Sequence, residues 1–212
     1  MLKFGLACEG VTDQAVIENI LCGFYKDKNL KSEIKAFQPL FDVTQQKQLE
    51  GEFGGWEELL KHLSTKRFRE SVINTNYMII QIDTDISEHP NFTVSQHDLS
   101  TEELIEKVVK RLILEIDSKK EFYFKYQEKI IFAISVHSLE CWLLPIYKSS
   151  KNQKISGCFQ ALQRESKKIK VSKDYRTYDK LSKDFLKYKI LIEKASENSS
   201  LQTFINALPN EI

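Results

Sequence analysis

The chain has 212 residues, 42% of them hydrophobic, 29% charged and 11% aromatic, with a formal net charge of +1. That length supports one domain with a real core, and so much apolar residue at so little net charge excludes a disordered chain. Seven Gly and four Pro are too few for a collagenous or linker-like protein.

No apolar run approaches the roughly 18–20 residues that cross a bilayer. The start, Met1 to Cys8, runs straight into Glu9, so no secretory signal is predicted. Cys8, Cys22, Cys141 and Cys158 are scattered without CxxC spacing. A disulfide framework and a structural zinc site are therefore not expected, and a soluble protein of the reducing cytoplasm is.

In chain order, Leu2–Cys8 predicts a strand, and Glu9-Gly10-Val11-Thr12-Asp13 a tight turn. A helix follows, with Ala15, Val16, Ile17, Ile20, Leu21 and Phe24 at helical spacing and Thr12 as its cap. Glu33–Phe41 predicts a second strand. Gly54-Gly55 punctuates the chain before a helix over Trp56–Arg69. Tyr77–Ile82 is nearly continuous apolar sequence, as in a strand buried on both faces, and it ends abruptly in Asp83-Thr84-Asp85. After a polar loop over 86–99, Ser100 and Glu103 form a capping box for a helix to about Ile116. Ile130–Val136 predicts another strand, and Ser138 a cap for a helix that begins at Glu140. From about Lys148 onward the pattern is helical and basic, ending near Leu208-Pro209. Strands alternating with helices predict an α/β fold with a mainly parallel sheet covered on both faces.

The near-neutral total conceals an asymmetry. Residues 1–100 hold 10 Lys/Arg against 15 Asp/Glu, whereas 101–212 hold 21 against 15. Within 148–189 there are 13 basic and 4 acidic residues, with Tyr147, Phe159, Tyr175, Tyr178, Phe185 and Tyr188 in or beside the stretch. Such interleaving suits a nucleic-acid backbone and its bases. It suits equally a solvated, lysine-rich helical surface.

The acidic residues fall into a pattern of their own. Glu9 follows the first strand, Asp83 and Asp85 end the central one, and Glu140 lies just beyond the last. In parallel sheets ligands bind at the carboxyl ends of the strands, so these carboxylates are predicted to share one edge. Asp13, four residues after Glu9, is placed to join them. Like charges brought together cost free energy unless a cation compensates. Oxygen-only ligands favour Mg²⁺ or Mn²⁺ over zinc, and such ions suit phosphate chemistry.

Glu9-Gly10-x-Thr12-Asp13 after a first strand, with Asp83-x-Asp85 after a later one, resembles the TOPRIM domain of topoisomerases, primases, recombination-associated proteins and OLD-type nucleases. The resemblance, over about residues 1–145, implies that Glu9 serves as acid/base or metal ligand and that Asp83 and Asp85 bind Mg²⁺. The Glu9/Asp13 pairing is more similar to OLD-type nucleases, which use such an acidic residue for a second metal. Three further motifs resemble those of small stand-alone TOPRIM-like proteins of bacterial defence islands. They are Ser138-Leu139-Glu140-x-Trp142-Leu143-Leu144, Gly54-Gly55 before a helix, and the terminal Asn198-Ser199-Ser200-x-x-x-Phe204-x-x-x-Leu208. Two features depart from the family. Ile86-Ser87 follows Asp85 where a further acidic residue would stand, and the ATPase domain of OLD-type nucleases has no counterpart in these residues.

The expected protein is thus a TOPRIM-like catalytic domain over 1–147 with a helical basic extension over 148–212 packed on it. It would be a Mg²⁺- or Mn²⁺-dependent nuclease acting on DNA or RNA. Glu9, Asp83, Asp85 and Glu140 would be the catalytic carboxylates, Asp13 a further metal ligand, and Lys180 a cation near the transferring phosphoryl group. The resemblance implies a role in bacterial anti-phage defence with an ATPase or sensor protein as partner. The alternative is a non-catalytic TOPRIM-like nucleic-acid-binding or regulatory subunit. A small-molecule phosphohydrolase, related to haloacid-dehalogenase phosphatases through Asp83-Thr84-Asp85, and a sugar-nucleotide transferase are also open. Cys141, beside an apolar helix segment, is expected to be core filling, and His137 a hydrogen-bonded structural residue.

Overall fold

The structure is a computed structural model that describes residues 2–42, 47–48, 55–148, 156–167 and 169–212. In chain order its elements are β1 (Leu2–Ala7), α1 (Val11–Phe24), β2 (Ile34–Gln38), β3 (Phe41–Asp42), β4 (Lys47–Gln48), α2 (Trp56–Leu63), α3 (Lys66–Asn74) and β5 (Thr75–Asp83). There follow α4 (Thr101–Ile116), α5 (Glu121–Tyr126), β6 (Ile130–Ser135), α6 (Glu140–Tyr147), α7 (Cys158–Glu165), α8 (Tyr175–Leu181), α9 (Tyr188–Ala195) and α10 (Ser199–Ala207).

Four strands form one sheet in the order β2-β1-β5-β6, every neighbour parallel, and β3 and β4 form a separate antiparallel pair. Successive side chains of a strand point to opposite faces, and each face has its own core. Phe4, Leu6, Ile79, Ile131 and Ala133 pack under α1, α6 and the helices after residue 157. Met78, Ile80, Ile82, Ile130 and Ile134 pack under α2, α3 and α4. The protein is therefore an α/β fold with a parallel sheet flanked by helices. Because β1 leads into α1 on one face and β5 leads towards α4 on the other, the neighbouring ends of β1 and β5 diverge. That divergence opens a crevice at the carboxyl edge.

α1 is the buried pivot of the first face, with every residue from Asp13 to Gly23 inaccessible. A helix enclosed on all sides must satisfy its polar groups internally. The Gln14 amide donates to the carbonyls of Gln38 and Pro39, at 3.2 and 2.7 Å. Asn19 donates to Ser182 Oγ at 2.8 Å, and Glu18 accepts from the Tyr175 hydroxyl at 2.6 Å and pairs with Lys31 at 3.1 Å. At Gly23 a Cβ would lie 1.8 Å from the Phe185 carbonyl oxygen, so only glycine allows the turn at Lys183–Leu186 to sit there.

Several local expectations need correction. The helix over Trp56–Arg69 is two helices, because Thr65 accepts from the Phe68 N–H at 3.1 Å and caps a new start. Thr12 lies inside α1, whose cap is Gly10; the Asp13 carboxylate takes the Gly10 N–H at 2.6 Å. Ser138 contributes its carbonyl, not its hydroxyl, to the start of α6, accepting from Cys141 N–H at 2.9 Å. Cys141 is no simple core filler: it forms a disulfide with Cys158, the Cα atoms 5.1 Å apart, where α6 packs on α7. A bond across 17 residues leaves no spacing signal. Gly54 lies outside the described residues, but Gly55 begins α2 at φ +114°, a conformation that favours glycine. No described helix is long and apolar enough to cross a membrane.

The aromatic residues of the basic stretch are mostly structural. Tyr175, Tyr178 and Phe185 are buried in the core beneath α1, while Lys167, Lys170, Lys180, Lys183, Lys187 and Lys189 are exposed. Those three rings are therefore not free to stack on bases, and phosphate contact by this surface would fall to its exposed lysines and arginines.

Candidate functional site

The strand register brings the acidic residues together. Ala7 of β1 lies opposite Ile80 of β5, so the chain two residues further on, at Glu9, reaches the level of the end of β5. Asp83 in turn lies opposite Ser135 at the end of β6. Gln81, a fully buried amide in an otherwise apolar strand, joins the first two loops. Its Oε1 accepts from Glu9 N–H at 3.3 Å and its Nε2 donates to Asp83 Oδ1 at 3.0 Å. Asp83 N–H approaches Glu9 Oε2 at 3.4 Å, and Gly55 N–H donates to the Glu9 carbonyl at 2.7 Å.

The third loop is fastened to the second through Thr84. Its N–H donates to the Ser135 carbonyl at 3.0 Å and its hydroxyl accepts from His137 N–H at 2.7 Å, while Asp85 N–H donates to the His137 carbonyl at 3.0 Å. His137 holds a left-handed backbone at φ +66° and has a buried Nδ1 without a partner among the described residues. From behind, Ser200 Oγ accepts from Trp142 Nε1 at 2.7 Å and from Val136 N–H at 3.3 Å. Asn198 caps α10 and donates to the Cys141 carbonyl at 3.1 Å, and Trp142 stacks on Phe204 with centroids 5.6 Å apart. The terminal motif thus braces the start of α6, where Glu140 stands.

Glu9, Asp13, Asp83 and Glu140 all line one cleft of about 280 Å³. Among the described residues Gly10, Val11, Thr12, Pro39, Gly55 and Leu139 also line it, with Lys173 as the cation. Asp85 is exposed and does not line the cleft. Lys180 sits on the exposed side of α8 and likewise does not line it. Sequence reasoning missed Lys173, Gln81 and Tyr178. Gln81 had a legible signal, a lone amide in an apolar strand. Lys173 and Tyr178 had none, being one lysine among 13 basic residues and one tyrosine in a helix of unknown facing.

The charges are poorly compensated. Burial first, opposed by the Asp83 N–H and reinforced by Asp85 and Glu140, pushes the Glu9 carboxyl from 4.5 up to about 7; Lys173 pulls the other way. Burial and then Asp13, Glu9, Glu140 and Asp85 push Asp83 well above the usual carboxylate range. Burial and Glu9 do the same to Asp13, and burial raises Asp85 against the pull of His137 and Lys173. The Tyr178 hydroxyl donates to Glu140 Oε1; burial and that carboxylate raise its own pKa, so it stays a donor.

The acidic groups of the cleft are all carboxylates, and burial and mutual repulsion oppose the ionisation of Glu9, Asp13 and Asp83, so the set fits a hard divalent cation such as Mg²⁺ or Mn²⁺. Among the described residues no three His, Cys, Asp or Glu side chains form a ready-made metal cage. The fit therefore rests on the donor set and its charge. The arrangement can hold a cation and place an anionic group between the carboxylates and Lys173. No protein-family model, curated protein or solved structure matches the chain.

Proposed function

We propose that the protein is a Mg²⁺- or Mn²⁺-dependent nuclease of TOPRIM-like fold, hydrolysing phosphodiester bonds in DNA or RNA. The observation that carries this reading is the convergence of Glu9, Asp13, Asp83 and Glu140, from three strand ends, on one cleft that Lys173 also lines. Glu9, Asp83 and Glu140 would hold the ion, and Asp13 would serve a second one. Asp85, exposed just beyond the end of β5, would be a further ligand. When bound, a divalent cation supplies Lewis-acid stabilisation of phosphate charge and eases deprotonation of water.

The chain's own groups do the remainder. Glu9, whose carboxyl titrates at about 7 in the metal-free cleft, would be drawn into its ionised form by the cation and so serve as a ligand. The Lys173 ammonium neutralises a non-bridging phosphate oxygen, the role that sequence reasoning gave to Lys180. Exposed lysines of the C-terminal part track the flanking backbone. The role in anti-phage defence and the ATPase or sensor partner follow from the family resemblance. A cytoplasmic setting, proposed with them, implies that the Cys141–Cys158 pair spends time reduced.

The test is incubation of purified protein with supercoiled plasmid, single-stranded DNA and total tRNA, with Mg²⁺, Mn²⁺ or EDTA. Cleavage of at least one substrate with metal and none in EDTA is expected, with Asp83→Ala reducing it by at least 100-fold. Cleavage at the wild-type rate in Asp83→Ala overturns the assignment.

A further inference from the structure

We propose that Tyr178 is a positioning residue for Glu140, through which α8 sets the metal affinity of the cleft; this rests on the metal-dependent reading above. Tyr178 is 1% exposed, and its hydroxyl reaches the Glu140 carboxylate across 38 residues of sequence. Glu140 Oε1 accepts that bond, while no described residue donates to Oε2. A carboxylate held by one oxygen presents the other in a fixed direction, which is how outer partners orient and tune metal ligands. Without the phenol, Glu140 would swing on its side-chain torsions and lose rotamer entropy each time it ligated.

The phenol is itself fixed by the docking of α8. Asn19 donates to the Asp179 carbonyl at 3.0 Å and to Ser182 Oγ at 2.8 Å. Tyr175 bonds Glu18 at 2.6 Å, and Lys31 pairs with Asp179 at 3.2 Å. The Tyr147 hydroxyl donates to the Leu181 carbonyl at 2.7 Å. Asp174 caps the helix by accepting from Thr177 N–H at 2.8 Å, which places Lys173, the residue before it, at the cleft. One short helix thus brings the orienting phenol and the cleft's cation together, and the C-terminal part becomes a component of the centre.

The experiment titrates Mn²⁺ alone into metal-stripped protein and follows the melting temperature. Binding to the native state raises it by mass action, the added stability growing as RT ln(1 + c/Kd) with free Mn²⁺ concentration c, so the rise across the titration yields the dissociation constant, the concentration of half-saturation. In Tyr178→Phe, which keeps the ring in the core, that concentration is expected to rise about 10–100-fold. Thr65→Ala, which removes the cap of α3 on the other face of the sheet and touches neither α8 nor Glu140, should lower the melting temperature in EDTA and leave half-saturation unmoved. A double-mutant cycle separates positioning from general stability. In a Glu140→Gln background, Tyr178→Phe should shift half-saturation no further. Wild-type half-saturation in Tyr178→Phe, or full additivity with Glu140→Gln, overturns the positioning role. A wild type that takes up no Mn²⁺ overturns the metal reading beneath it.

Discussion

Gln81 stands where two loops must be held together although their side chains repel. Its amide accepts from the Glu9 backbone and donates to the Asp83 carboxylate, so it fixes both acids without adding charge. The repulsion that remains is stored in their protonation. Glu9 titrates at about 7 in the folded protein and at an ordinary 4.5 when unfolded. The fold therefore favours the protonated acid. This contribution to stability is complete below pH 4.5 and is lost as pH rises through 7. In metal-free buffer the unfolding free energy should fall between pH 5 and pH 8, by up to about 3 kcal/mol from Glu9. Buried Asp13 and half-buried Asp83, both raised, add to the fall in the same direction. Urea melts at both pH values check this, and Glu9→Gln should flatten the difference; a steeper fall in that variant would contradict the assignment.

At the scale of elements, sequence periodicity located every strand of the main sheet, because apolar runs buried on both faces are conspicuous. It located less well what polar groups decide. Thr65 divides a continuous amphipathic pattern into α2 and α3 by taking one N–H, and nothing in the apolar spacing reveals that. Glu9, Asp83 and Glu140 were legible because each stands at or shortly after the end of a strand, whereas Tyr178 depends on which face of α8 meets α1. The Cys141–Cys158 bond was hidden for the same reason, since pairing follows the packing of α6 on α7. Closing a loop of 17 residues restricts the unfolded chain. Cys158→Ser is expected to lower the unfolding free energy by about 3 kcal/mol under oxidising conditions. Dithiothreitol should bring the wild type to the same value, and a wild type indifferent to reductant would show the bond absent in solution.

Over the whole molecule, residues beyond 157 share one core with β1 and α1, so the basic surface and the acidic cleft are built on the same core. In the proposed nuclease that shared core would let a surface of exposed lysines hold a strand while a cleft of opposite sign acts on it. Neutralising Lys167 and Lys170 should weaken nucleic-acid binding across sequences. It should also flatten the salt dependence by up to roughly two units, at about 0.7–0.9 per phosphate contact. Cleavage of bound substrate should change little. An unchanged salt slope would return both residues to ordinary solvated surface.

The central claim is that the converged carboxylates form a divalent-metal centre, and anomalous diffraction from crystals soaked in Mn²⁺ tests it most directly. The account predicts an anomalous peak in the cleft bounded by Glu9, Asp83 and Glu140, absent from crystals of Asp83→Asn. Peaks confined to other surfaces, or a cleft without Mn²⁺ at saturating concentration, would contradict it.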